Sequence, residues 1–192
     1  MTEPLMPPRT PPMIGIVGWK KSGKTTLAER LIAEFTRRGL RVASVKHAHH
    51  AFQIDDQDTD SARHRRAGAC QVAIVAATRW AVVTELGNAP EPSLFEVIGR
   101  LDPCDLVVVE GYKASPIPKI EARRRAAADQ RPLAPTDPHV VAIAADHDVA
   151  GGPLPVFALD DISAIADFIE RTLALRAGGA GPHSGAPAAV AP

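Results

Sequence analysis

The chain has 192 residues, 45% apolar and 23% charged, which fits one compact domain and excludes a wholly disordered polymer. Twenty-two Lys and Arg balance twenty-two Asp and Glu, and aromatic residues are only 4%, so neither a generic nucleic-acid binder nor a base-stacking platform is indicated. Two cysteines cannot build a disulfide framework, no signal peptide precedes the first strand, and no apolar run approaches the ~20 residues of a membrane span, so a soluble cytoplasmic protein is expected. In chain order, five prolines among residues 1–12 predict a disordered start, and a domain over 13–176 follows. Met13-Ile14-Gly15-Ile16-Val17 reads as a strand buried on both faces. Leu27, Leu31, Ile32 and Phe35 repeat at helical spacing over 24–38, with Gly39 where a helix-terminating glycine belongs. Residues 41–46 read as a second strand, completing a strand-helix-strand unit.

A polar stretch over 48–60 leads to a short Arg-rich helix at 61–67. Residues 71–77 and 80–86 read as paired strands around Thr78-Arg79, and a helix is predicted over 93–100. Leu106-Val107-Val108-Val109 is a buried strand running into Glu110-Gly111. Further strands are expected at 140–144 and 156–157, and a helix over 160–175 presents Ile162, Ile165, Ala166 and Ile169 on one face. Residues 177–192, thirteen of them Gly, Ala or Pro, predict a disordered tail. The alternation implies an α/β fold, three layers α/β/α with a mainly parallel sheet, and the glycine-lysine-threonine motif after the first strand makes it a P-loop NTPase.

Gly18-Trp19-Lys20-Lys21-Ser22-Gly23-Lys24-Thr25 satisfies G-x-x-x-x-G-K-[ST] at every position and lies between a buried strand and an amphipathic helix. The two glycines let consecutive amides turn into one concavity, to which the helix start adds its positive end. Lys24 supplies a point charge for the β- and γ-phosphates, Thr25 a hydroxyl for Mg²⁺, and Thr26 a second hydroxyl nearer the α-phosphate. An acid is required at the carboxyl end of a neighbouring strand. Glu110 fills that place, whereas Asp105 stands at the opposite end of its strand.

Lys46-His47 and His49-His50 emerge at the same sheet edge. The imidazoles suit Zn²⁺ or Ni²⁺, but no cysteine is near and residues 49 and 50 point apart. A polar loop in which Lys46 and His47 touch phosphate or substrate fits better. Asp55, Asp56, Asp58 and Asp60 form either a solvated acidic loop or a carboxylate set handling Mg²⁺ or water, and Asp60 can also cap the helix that follows. Arg63, Arg65 and Arg66 form one basic cluster, and Lys119 with Arg123, Arg124 and Arg125 another. Each reads as a cradle for a phosphorylated ligand or as a solvated face. Lys113, in the loop after Glu110, is placed to reach into the site. No N/T-K-x-D element marks guanine; Asp146 is a carboxylate that guanine N1 and N2 can donate to, or a turn former.

In their order, Gly18 to Thr25, Val45-Lys46-His47 with His49-His50, Asp60-Ser61-x-Arg63, Val109-Glu110-Gly111-Tyr112-Lys113 and Pro118-Lys119-Ile120-Glu121 resemble the MobB family of molybdopterin-guanine dinucleotide biosynthesis adaptors. The resemblance spans about residues 13–145. It implies a homodimeric GTP-binding protein with weak Mg²⁺-dependent GTPase activity, acting beside the guanylyltransferase that joins GMP to molybdopterin, with molybdopterin itself as a further ligand. By position, residues 18–26 would hold phosphates, Glu110 would sit near Mg²⁺, and Lys46, His47, Asp60 and Arg63 would line the same edge. Dimerisation through protruding strands that include 80–86 fits this picture. A related class of dimeric P-loop proteins carries a signature lysine where this chain has Trp19; Lys20 is one place off and takes no such role. Two other functions share a P-loop of this size: a small-molecule kinase, with Asp58 or Asp60 as base and an Arg-rich lid, and a nickel-type metallochaperone GTPase.

Overall fold

The structure, a computed structural model, describes residues 10–48 and 59–175. His49, His50, Asp55, Asp56 and Asp58 lie outside the described residues, as do segments 1–9 and 176–192. The chain divides into two compact units, Met1–His47 with Ile98–Pro192, and Ala48–Val97.

The first unit is built on a six-stranded sheet. Strand β1 (Met13–Val17) is buried at every residue and lies between two parallel neighbours. Helix α1 (Lys24–Arg37) follows, then β2 (Val42–Lys46), one residue shorter than predicted because Arg41 forms the turn into it with Asp105. Strands β5 (Leu106–Glu110), β6 (Lys119–Arg123), β7 (Val140–Ala145) and β8 (Val156–Ala158) complete the order β2-β5-β1-β6-β7-β8, and helix α4 (Ile162–Leu173) closes the unit. Every pairing in this sheet is parallel, so all six carboxyl ends meet at one edge. The core joins Leu27, Leu31 and Phe35 of α1 and Ile165, Ala166 and Ile169 of α4 to Ile14, Ile16, Val108, Ile120, Ala142 and Ala144 of the sheet.

Strand β6 does not appear in the sequence reading, which leaves residues 111–119 as a loop and groups Lys119 with the arginines after it. Ile120 and Ala122 face the core, while Lys119 and Glu121, each 1% exposed, point the other way and find partners from one loop. Lys119 Nζ donates to Asp137 at 2.7 Å, and the Glu121 carboxylate accepts from Arg123 at 2.8 Å and from the amides of Leu133 and Ala134 at 2.8 and 2.9 Å. Buried charge is tolerated because it is paired and hydrogen-bonded. The basic-cluster expectation is therefore corrected: Lys119 and Arg123 are consumed internally.

In the second unit, α2 (Asp60–Arg66) packs against β3 (Gln71–Ala76), which pairs antiparallel with β4 (Arg79–Thr84). The cap of α2 is Thr59, not Asp60: Thr59 has the extended backbone that a cap needs, and its hydroxyl accepts from Ala62 N. Ala76 pairs with Arg79, so the turn is Ala77-Thr78, one residue earlier than expected. Helix α3 (Leu94–Ile98) is shorter than predicted and opens with a reciprocal Ser93–Glu96 capping box.

Candidate nucleotide site

The loop after β1 holds three residues at positive φ: Gly18 at 146°, Lys21 at 65° and Gly23 at 91°. A Cβ at Gly18 would lie 2.5 Å from the Ala122 carbonyl oxygen and closer still to Ser22 Oγ, so only glycine lets the loop pass β6. Gly23 caps α1 with no side-chain hydrogen bond, which leaves the first-turn amides open to an anion. Lys24 Nζ donates to the Trp19 carbonyl at 2.6 Å, folding the ammonium back over the loop. Ser22 is buried and its amide donates to the same carbonyl, whereas Lys20 and Lys21 are exposed.

Register brings the acid to this loop. Ile16 and Lys46 are both opposite Glu110 on flanking strands, so β1, β2 and β5 end together. Thr25 Oγ1 donates to Glu110 Oε1 at 2.8 Å, and Lys46 Nζ is 3.4 Å from Oε2. Burial pushes the Lys24 ammonium below its ordinary pKa. Glu110 opposes that shift, and the charges of Lys113 and Lys46 add to it. Lys24 and Lys46 thus share the Glu110 carboxylate, an arrangement that a polyanion relieves. The His47 amide donates to the Glu110 carbonyl, and its ring lies 4.8 Å from that of Tyr112, whose backbone is left-handed at φ 49°. The Thr25 hydroxyl and Glu110 carboxylate supply the hard oxygen donors that Mg²⁺ takes alongside water. Among the described residues there is no group of three or more His, Cys, Asp or Glu able to hold a metal.

Trp19 is held by two loops. Its indole N–H donates to the Arg131 carbonyl at 2.7 Å, Lys113 Nζ lies 3.8 Å from the ring centroid, and the Arg131 guanidinium 4.8 Å from it. Lys113, also lowered in pKa by burial, therefore rests on Trp19.

Beyond α1 opens a cavity of about 690 Å³, lined by Gly23, Thr26 and Arg30 on one side and by Asp146 and Val156–Asp160 on the other. Asp146 Oδ1 accepts from the Arg125 amide at 2.7 Å and from His147 Nδ1 at 2.8 Å, contacts that hold its pKa below the usual range. Arg124, which the sequence groups only with its basic neighbours, also lines this cavity. Nothing local in the sequence marks it, since its position depends on β6. Asp60 and Arg63 belong to the second unit, where they pair with each other at 3.4 Å and are exposed.

The family model described as MobB, molybdopterin guanine dinucleotide synthesis protein B, matches residues 13–146. The chain belongs to the MobB family. Its MobB relatives include the molybdopterin-guanine dinucleotide biosynthesis adapter protein of Haemophilus influenzae, 41% identical over 84% of this chain and 89% of that protein. The Escherichia coli protein of the same name is 36% identical over 82% and 91%. Among solved MobB structures, one of molybdopterin-guanine biosynthesis protein B superposes with TM-score 0.65 and 28% identity, over 84% of this chain and 99% of that one. The MobB homolog from Bacillus stearothermophilus gives 0.61 and 26%, over 85% and 99%. MobB membership establishes the P-loop NTPase fold and favours the adaptor over the kinase and metallochaperone readings. No helix among the described residues is long and apolar enough to cross a membrane.

Proposed function

We propose that this protein is a cytoplasmic GTP-binding adaptor of molybdopterin-guanine dinucleotide biosynthesis, working beside the guanylyltransferase that attaches GMP to molybdopterin and hydrolysing GTP weakly. The observation that carries the reading is the meeting of Lys24, Thr25, Glu110 and Lys46 at one sheet edge, next to the cavity that Asp146 lines. In this reading the amides of residues 18–26 bind the phosphates, and Lys24 leaves the Trp19 carbonyl for the β- and γ-oxygens. Thr25 and Glu110 hold Mg²⁺, which neutralises phosphate charge when bound. Lys46, His47 and Lys113 contact the outer phosphates or the partner's ligand. Asp146 accepts from guanine N1 and N2, and molybdopterin is a second ligand.

A homodimer is supported by the hairpin of the second unit, where Val75, Trp80 and Val82 share a face that is 78%, 67% and 47% exposed. Trp80→Asp then yields a monomer in light scattering, and a wild-type monomer refutes the assignment.

The site itself is tested by displacing a fluorescent GTP analogue with GTP or ATP in Mg²⁺, for wild type and Lys24→Ala. Displacement by GTP at concentrations at least tenfold below ATP, abolished in the variant, is expected. Preference for ATP, or unchanged affinity in Lys24→Ala, overturns the reading.

A further inference from the structure

Arg124 stands immediately beyond β6, at the carboxyl edge of the strand that neighbours the phosphate loop. Its neighbours are committed elsewhere: Arg123 pairs with Glu121 at 2.8 Å, and the Arg125 amide is fixed to Asp146 at 2.7 Å. The Arg124 guanidinium spans two regions of the site. Nε lies 3.8 Å from Asp146 Oδ2, on the side of the large cavity, and Nη2 lies 3.4 Å from the point where a Cβ on Gly23 would stand. A side chain at Gly23 would press on the guanidinium and on Leu159.

Lys24 Nζ instead donates to the Trp19 carbonyl within the same loop. Lys24 is thus held over the loop itself, while Arg124 lies where the loop meets the nucleoside cavity that Gly23, Thr26 and Asp146 line. The first phosphate out from a nucleoside is the α-phosphate.

We infer that Arg124 binds the α-phosphate of the nucleotide, with its Nε end kept in place by Asp146. This rests on the nucleotide reading above. It gives the site a guanidinium supplied within the chain, planar and 40% exposed, so it can donate to phosphate oxygens without a large desolvation cost.

Titration of wild type, Arg124→Gln, Arg124→Lys and Lys24→Ala with GTP, GDP, GMP and guanosine, by competition against the fluorescent GTP analogue, tests the assignment. Arg124→Gln is expected to weaken GTP, GDP and GMP by a common factor of about ten or more, typical of a lost charge-assisted hydrogen bond, and to leave guanosine within about twofold. Arg124→Lys recovers part of that loss, and Lys24→Ala weakens GTP and GDP far more than GMP. Unchanged GMP affinity in Arg124→Gln, with GTP still lost in Lys24→Ala, overturns the role of Arg124 and leaves the nucleotide site standing. Equal loss for guanosine overturns it in favour of base stacking or a structural role. If neither variant loses GTP, the nucleotide reading itself fails.

Discussion

Asp137→Asn removes the carboxylate that answers the Lys119 ammonium at 2.7 Å, and Lys119 is 1% exposed. Breaking a buried ion pair from one side costs about 3–5 kcal/mol, because the remaining charge is left without its partner in a poor solvent for it. Asp137 keeps 18% of its side-chain exposure, so some water reaches the pair and the low end applies, about 3 kcal/mol. At roughly 2–4 °C per kcal/mol for a chain of this size, the melting temperature falls by about 6–12 °C. Urea unfolding followed by far-ultraviolet circular dichroism measures the loss as a lower midpoint at unchanged slope. The decisive comparison is Lys119→Met with Asp137→Asn. The Lys119 stem already runs against Gly15, with Cγ 2.9 Å from where a Cβ there would stand, and Met follows a similar path without the charge. The double variant should return to within about 1 kcal/mol of wild type. A single variant that loses less than about 1 kcal/mol, or a double variant no better than the single, refutes the reasoning. The same pair sets an acid dependence. Desolvation alone would raise the Asp137 pKa, but hydrogen bonds from Lys119 and His139 and the Lys119 charge outweigh it and hold it below the usual value. The stabilisation is therefore present above the ordinary aspartate pKa of about 4 and is lost as pH falls through the lower folded value. Asp137→Asn lacks that acid-sensitive component.

Glu110→Gln keeps the Thr25 contact but removes the charge, so Mg²⁺ dependence and GTP hydrolysis should fall at least about tenfold while nucleotide affinity falls much less; equal losses in a titration and a phosphate-release assay would make Glu110 structural. Gly18→Ala forces a Cβ against the Ala122 carbonyl at a φ of 146°, and should lower stability by about 2 kcal/mol or more and abolish GTP binding, read by thermal unfolding with and without ligand. An unchanged melting temperature contradicts that steric reading. Arg38 joins Glu34 of α1 to Asp167 and Glu170 of α4, and hydrogen bonds from Arg37 and then Arg38 hold Glu34 at about 2 against its ordinary 4.5. That contribution is present above pH 4.5 and fades toward pH 2, so Arg38→Gln should raise the acid-unfolding midpoint; an unmoved midpoint in a fluorescence titration counts against it.

Much of the site was legible in the chain because its signals are local. The glycine-lysine-threonine loop needs a particular backbone turn and a helix start, and both are encoded within a few residues. Leu106 to Val109 announces a buried strand by composition, and Glu110 stands at its end whatever the neighbours are. Strand order, by contrast, was not legible. The sequence places Lys119 and Glu121 among prolines and arginines, where charge argues for a loop. Only the sheet shows why β6 is central: each charge meets a partner from residues 133–137, so burial costs little. Cap choice followed the same division, with Thr59 preferred to Asp60 by backbone geometry that no side-chain pattern reveals.

The sequence by itself determined the phosphate loop, the strand-end acid and the family resemblance, because covalent neighbours set turns, helix starts and apolar runs. The tertiary structure alone decided that β6 lies beside β1, that Lys113 and Arg131 both rest on Trp19, and that Arg124 lies beside Asp146 and Gly23. Those contacts join residues about a hundred positions apart or on separate strands, and their energies exist only once parallel pairing has brought the strand ends to one edge.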